Sequence, residues 1–240
     1  MPSEDALADK VALVTGASRG IGFAIARRLG RMGARVAICG RDQSKLEQSA
    51  SSLRGEGIET LAEQTDVTRG DQISSLVQKT QRELGPIDIL VNNAGTAVFG
   101  PFHEFGELEW NQLMDTNLKS VFLMCRAVAP EMIRRQSGHM INIASLAGKS
   151  TFAKGAIYCA SKWGLLGLTG SIAEDLRGYG IRVSAVCPGS VATEFPGQGG
   201  GKDASRFLQP DDVAHAVAAL VTQTAGSFIS EVHIRPTRKP

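Results

Sequence analysis

The chain has 240 residues, 42% of them hydrophobic and 21% charged, with a formal net charge of +2. That length suits one α/β domain with a large core, and the near-balanced charge gives no reason to expect nucleic acid or a membrane surface. Met1 to Lys10 carries acids and no apolar centre, and no apolar run approaches the ~18 residues of a membrane span, so a cytoplasmic protein without a secretory signal is expected.

The first element is Val11-Ala12-Leu13-Val14-Thr15, an apolar run that reads as a buried strand within 10–15. It passes into Gly16-Ala17-Ser18-Arg19-Gly20-Ile21-Gly22 and then a helix over 20–33. Strand, glycine-rich turn and helix together make a phosphate-binding unit. Gly16 permits the tight turn, Gly20 lets backbone N–H groups approach a pyrophosphate, and Gly22 allows close packing of helix on strand. The spacing G-x-x-x-G-x-G differs from the G-x-G-x-x-G of the general dinucleotide fingerprint. An ordinary turn with glycine at a helix entrance is the plainer alternative.

The second strand, at about 34–39, ends Ile38-Cys39-Gly40-Arg41-Asp42. In the general fingerprint an acid here binds the adenosine ribose, whereas a nearby Arg accommodates a 2′-phosphate. Gly40 holds the acidic position, Arg41 follows it, and Arg19 offers a second cation; the balance points to NADP. Asp42 is one place late and equally suits the cap of a helix over 42–55. A third strand at 58–64 leads through Asp66-Val67 to a helix at 70–84, with Asp66 or Thr68 suited to its N-cap. The fourth, at 87–91, runs into Asn92-Asn93-Ala94-Gly95, which fits a chain turning beneath a ribose or a plain tight turn.

A single long helix over 107–136 is expected from the periodicity of Trp110, Leu113, Met114, Asn117, Leu118, Val121 and Phe122, with Pro130 kinking or breaking it late. Asn117 is a polar intruder on that stripe and needs partners. A strand at 139–144 delivers Ser145, either to a substrate oxygen or to the turn through Leu146-Ala147-Gly148. On a helix over 156–178, Tyr158 and Lys162 stand at i and i+4 and share a face, which gives a phenol a fixed ammonium neighbour. Lowering a phenol's pKa of ~10 by ~3 units takes roughly 4 kcal/mol.

A strand at 181–187 ends at Pro188-Gly189, and the glycine-rich Pro196 to Lys202 lies within a flexible substrate loop, about 193–209, which is either a lid or a plain flexible connection, its place beside the site favouring the lid. A helix at 211–223 and a strand at 229–235 complete the pattern. Strands alternating with helices predict a single-domain, Rossmann-type, doubly wound parallel sheet of about seven strands, with ligand at their carboxyl ends. Cys39, Cys125, Cys159 and Cys187 lack metal spacing and read as small buried hydrophobes. His103, His139, His215 and His233 are scattered and are not expected to be catalytic, and no metal is expected.

Thr15-Gly16-x-x-x-Gly20-Ile21-Gly22, Asn92-Asn93-Ala94-Gly95, Asn117, Ser145, Tyr158-x-x-x-Lys162 and Pro188-Gly189 stand in the order and spacing of the short-chain dehydrogenase/reductase family. The chain resembles that family, including its 3-oxoacyl-acyl-carrier-protein reductase-like members, over about residues 8–236. The resemblance implies reduction of a ketone or 3-oxoacyl carbonyl by NADPH. Tyr158 would be the acid, Ser145 would bind the carbonyl, Lys162 would hold the nicotinamide ribose and lower the phenol's pKa, and Asn117 would hold a water in a proton relay. It implies cofactor contacts from Gly16, Ser18, Arg19, Gly20, Ile21, Gly22 and Arg41, from Asp66 and Val67 at the adenine, and from Asn93, Ala94 and Gly95. Tyr158 and Lys162 would also touch the cofactor, with Pro188, Gly189, Val191 and Thr193 along the nicotinamide.

A small-molecule carbonyl or alcohol substrate and a homodimer or homotetramer are implied as well. The helices over 107–136 and 156–178 would pack on the partner, the latter through small Ala156, Ala160, Gly164 and Gly167. An NAD-dependent secondary-alcohol dehydrogenase and a non-catalytic nucleotide sensor are the alternatives; Gly40 and Arg41 oppose the first, and the complete Asn117, Ser145, Tyr158 and Lys162 set opposes the second. The tail departs from the family pattern, with Ile229 to Pro236 replacing the usual glycine-rich finish.

Overall fold

The structure, a computed structural model, describes residues 5–195 and 204–238. Its seven strands are β1 (Val11–Thr15), β2 (Arg35–Gly40), β3 (Thr60–Gln64), β4 (Ile89–Asn92), β5 (Gly138–Ile143), β6 (Ile181–Pro188) and β7 (Glu231–Ile234). All pair in parallel, in the order β3-β2-β1-β4-β5-β6-β7. The helices are α1 (Gly20–Gly30), α2 (Gln43–Gly55), α3 (Gly70–Glu83), α4 (Glu107–Met114), α5 (Ser120–Arg135), α6 (Ala156–Arg177) and α7 (Pro210–Val221). Parallel strands need crossover helices, and those helices cover both sheet faces. Every residue of β1 is therefore buried, which is why its sequence is a continuous apolar run rather than an alternation. One core unites α1, α2 and α7 through Ile25, Leu29, Leu46 and Val217; the other unites α3, α5 and α6 through Leu76, Met124, Val128 and Leu165. The expected doubly wound Rossmann-type sheet is the fold observed.

Between β1 and β4 the strand order reverses, so the loops leaving these strands diverge and open a crevice at their carboxyl ends.

The long helix expected over 107–136 is interrupted. Asp115–Lys119 winds as a π turn between α4 and α5, and the Ser120 N–H reaches back to the Asp115 carbonyl. Such turns gather at functional sites, and this one carries Asn117. Apolar periodicity continues on either side, so one extra residue within it leaves no mark on the pattern. Pro130 does not end α5, which runs on to Arg135 and stops at left-handed Gln136. Val128 and Met132, both fully buried, anchor the helix on either side of the proline.

The four cysteines are free and buried. His139 bonds Ser184 Oγ at 2.9 Å, and burial, helped by the Arg182 charge, holds it down to about 3. It is a neutral group buried within the sheet. No helix among the described residues is long and apolar enough to cross a membrane.

Candidate active site

The crevice is held together by a side chain at the end of β1. Thr15 Oγ1 accepts from the Asn93 and Ala94 backbone N–H groups, both at 3.0 Å. Asn93 Nδ2 returns bonds to the Thr15 and Gly16 carbonyls at 2.9 and 3.1 Å. The glycine turn and the loop after β4 are thus locked against each other. Gly16 sits at φ +63°, and a Cβ there would lie 2.8 Å from Ala94 Cα, so no other residue fits this approach. At Gly22 a Cβ would lie 2.5 Å from both Asn93 Nδ2 and the Gly16 carbonyl. The close packing foreseen for Gly22 is real, but its neighbour is the turn itself rather than a strand. Asn92 faces away from any ribose, its Nδ2 donating to Asn142 Oδ1 at 2.9 Å inside the sheet.

α1 begins with Arg19 at its N-cap, with no side-chain cap bond and no acid in the first turn. Unsatisfied N–H groups and the positive end of the helix dipole therefore face the crevice, which suits an anion.

At the β2 end, a Cβ on Gly40 would stand 3.2 Å from Ser18 Oγ. Ser18 packs where a larger side chain would go, and its carbonyl is held by Ser49 Oγ at 2.9 Å. Arg41 is exposed beside it, and Asp42 caps α2 by accepting from Lys45 N–H at 3.1 Å. Asp66 accepts from both the backbone N–H and the hydroxyl of Thr68, at 2.9 and 2.8 Å. It shapes the turn before α3, whose N-cap is Arg69 rather than Asp66 or Thr68. Burial pushes the Asp66 carboxyl up, but these bonds and the charges of Arg41 and Arg69 bring it below the usual range. Arg19 pairs with Glu194 across the crevice mouth.

At the other end, β5 delivers Ser145 to the N-cap of a short 3-10 turn, Leu146–Gly148, where its hydroxyl accepts from Ala147 N–H at 3.1 Å. The same hydroxyl lies near enough to Tyr158 to lower its pKa. The turn-forming reading of Ser145 is met, and its hydroxyl stands at the catalytic end of the same cleft. Tyr158 and Lys162 stand one turn apart on α6, both buried.

The phenol does not behave as its i+4 neighbour suggests. Burial raises the Tyr158 pKa, and Ser145 lowers it by less. The Lys162 ammonium lies 5.9 Å from the ring centroid and donates instead to the Ile143 carbonyl at 3.0 Å. Burial pulls Lys162 itself down to about 8. With burial raising the phenol, Tyr158 is a protonated acid near neutral pH.

Asn117 is buried behind the crevice. Its Oδ1 accepts from Thr96 N–H at 2.8 Å, and its Nδ2 donates to the Thr96 carbonyl and to Ser161 Oγ at 2.9 and 3.1 Å. Both amide hydrogens are used, so the carboxamide pins the loop after β4 to α6.

Around a cleft of about 570 Å³ the structure gathers Gly16, Ser18, Arg19, Gly20 and Ile21, with Arg41, Asp66 and Val67. Asn93, Ala94 and Gly95 form one side; Ser145, Tyr158 and Lys162, then Pro188, Gly189, Val191 and Thr193, form the other. Gly22 and Asn117 do not line it. Glu194 and Phe195 do, and the sequence pattern did not single them out. The glycine-rich Pro196 to Lys202 lies outside the described residues; on its flanks Val191 bridges Leu208, and Ala192 N–H bonds the Leu208 carbonyl at 2.8 Å.

The model of the short chain dehydrogenase family matches residues 10–200. An uncharacterized oxidoreductase of Staphylococcus saprophyticus is 37% identical over 233 residues, covering 96% of this chain and 98% of that protein. A solved metagenomic short-chain oxidoreductase in complex with NADP is 46% identical, with a TM-score of 0.87 over 98% of this chain and 100% of that one. A variant actinorhodin polyketide ketoreductase with NADPH is 34% identical, with a TM-score of 0.88 over 98% of both chains.

Proposed function

The chain belongs to the short-chain dehydrogenase family of oxidoreductases, and we propose that it uses NADPH to reduce a ketone or 3-oxoacyl carbonyl to a secondary alcohol. The observation that carries this reading is a single cleft that begins at an uncapped helix N-terminus and ends at Ser145, Tyr158 and Lys162. The solved relatives described with NADP and NADPH support the cofactor.

The residues present fit that cofactor. The α1 N-terminus suits its pyrophosphate, and the last residue of β2 is Gly40 rather than an acid, with Arg41 beside it for a 2′-phosphate. Arg19 would join once released from Glu194. Lys162 would hold the nicotinamide ribose. When bound, NADPH supplies the hydride to the carbonyl carbon. Ser145 and Tyr158 would both hydrogen-bond the carbonyl oxygen. As negative charge develops there, Tyr158 gives up its O–H proton and Ser145 steadies the oxygen. A phenol kept protonated by burial is suited to this reductive direction. Cofactor and catalytic groups sit on one continuous sheet, consistent with a single domain.

The test is cofactor oxidation, followed by absorbance, against ketones, a 3-oxoacyl thioester and, with NADP, secondary alcohols. Turnover with carbonyls supports the reading; tight NADPH binding without turnover on any of them would replace it with the nucleotide sensor.

A homodimer or homotetramer forms part of the proposal. Leu108, Trp110, Phe122 and Trp163 are exposed on α4, α5 and α6, the helices expected to meet a partner, and apolar surface of that kind marks an interface. Gly164 packs inward on Leu118, where a Cβ would lie 3.1 Å from Cδ2, whereas Gly167 faces open space. Light scattering at micromolar concentration should give the mass of a dimer or tetramer. A monomer would remove the assembly from the proposal.

A further inference from the structure

Phe99 and Phe195 meet the Tyr158 ring and Phe152 packs on Phe99, each phenylalanine coming from the loop after a different strand. Phe99, after β4, meets Tyr158 edge-on, with ring centroids 5.5 Å apart and planes at 73°. Phe195, after β6, lies 6.1 Å from Tyr158 at 57°. Phe152, after β5, lies 5.8 Å from Phe99 at 50°. The loops that carry Phe99 and Phe152 are tied together, because Gly100 N–H bonds the Lys154 carbonyl at 2.9 Å. Phe152 is folded over Gly155, where a Cβ would come within 2.5 Å of its ring. Behind Phe195 an apolar cluster of Leu113, Ala147 and Ile157 supports the wall.

Phe99 and Phe152 nevertheless leave 37% and 49% of their surface open. Two large apolar rings held half-exposed beside a catalytic acid gain by being covered, and tilted or edge-on ring pairs are the arrangement aromatic groups favour. Tyr158 and Phe195 line the cleft, with Phe99 and Phe152 packed beyond them and Lys154 exposed in the Phe152 loop. The charged groups of the cleft lining lie elsewhere. Arg41 and Asp66 are at the β2 end, Glu194 is paired with Arg19, and Lys162 is buried below the ring. The three phenyl rings offer no hydrogen-bonding group to the amides and thioester of an acyl-carrier substrate.

We propose that the substrate is a ketone bearing an aryl group on its carbonyl carbon, which lies against Phe99 and Phe152 while the oxygen meets Tyr158 and Ser145. This rests on the reductase reading of the same cleft. Its test is kcat/KM with NADPH for acetophenone, 2-butanone and an acetoacetyl thioester of N-acetylcysteamine, in wild type, Phe152→Ala and Phe152→Leu. Wild type should favour acetophenone over 2-butanone by about tenfold or more, and Phe152→Ala should lower that ratio about tenfold, with Phe152→Leu between the two. Direct NADPH titration of each variant checks that the cleft is folded, since Phe152 is remote from the nucleotide end. Aryl and alkyl ketones turned over equally, a ratio unmoved by Phe152→Ala, or a preference for the thioester would each overturn the aryl assignment while leaving a reductase. No oxidation of NADPH by any carbonyl would instead remove the reductase reading, and the aryl assignment with it.

Discussion

Tyr158→Phe is expected to lower turnover by about 10²–10⁴-fold, the range for losing a general acid, while fold and NADPH affinity survive. The substitution removes one hydroxyl and keeps the ring against Phe99 and Phe195. The lost group stands with Ser145 at the end of the cleft. Because burial raises the phenol above its ordinary ~10, it stays protonated through neutral pH and should not limit reduction there. Lys162, held down to about 8 by burial, loses its charge first. Reductive kcat/KM should therefore fall in two steps as pH rises, near 8 from Lys162 and above ~10 from Tyr158. Near-wild-type rates for Tyr158→Phe on a substrate the native enzyme reduces would falsify the assignment of the acid.

What could be read from sequence is what local chemistry dictates. A β1 strand buried on both faces must be apolar throughout, and a turn with left-handed glycines at 16 and 20 must carry glycine. Both show in the residue order, as does the i, i+4 placement of Tyr158 and Lys162. What could not be read depends on distant partners. The π turn at Asn117 adds one residue within an unbroken apolar pattern, and the partners that saturate its amide, Thr96 and Ser161, lie 21 and 44 residues away. Burial of Tyr158, which raises its pKa, depends on loops far away in the chain, whereas spacing alone shows only the neighbouring Lys162. Thr15 clamps a loop 78 residues further along, and the Phe99, Phe152 and Phe195 collar assembles from three loops. Asn92 and Asn93 are adjacent and alike, yet only the sheet register sends Asn92 inward to Asn142.

Cofactor choice rests on Arg41 and Gly40, and the structure sharpens how they are to be tested. Arg41 is exposed at the β2 end, near enough to Asp66 to help hold its carboxyl low, so its charge acts where an adenosine 2′-phosphate would lie. A charge-assisted bond to that phosphate is worth roughly 1.5–3 kcal/mol, so Arg41→Ala should cost about ten- to a hundredfold in NADPH affinity and little in NADH affinity. Gly40→Asp should move preference toward NADH, by repelling the phosphate and offering a partner to the ribose hydroxyls. A Cβ at Gly40 also presses on Ser18 Oγ at 3.2 Å, so part of any loss will be steric. Gly40→Ala carries that crowding without the charge and should weaken both cofactors alike. The quantity to measure is the ratio of kcat/KM for NADPH over NADH in wild type, Arg41→Ala, Gly40→Ala and Gly40→Asp. Wild type should favour NADPH, Gly40→Ala should leave the ratio near that of wild type, and Arg41→Ala and Gly40→Asp should each reduce it. A wild type that favours NADH, or a ratio that neither charge change moves, would show that the 2′-phosphate is not what this end of the cleft recognises.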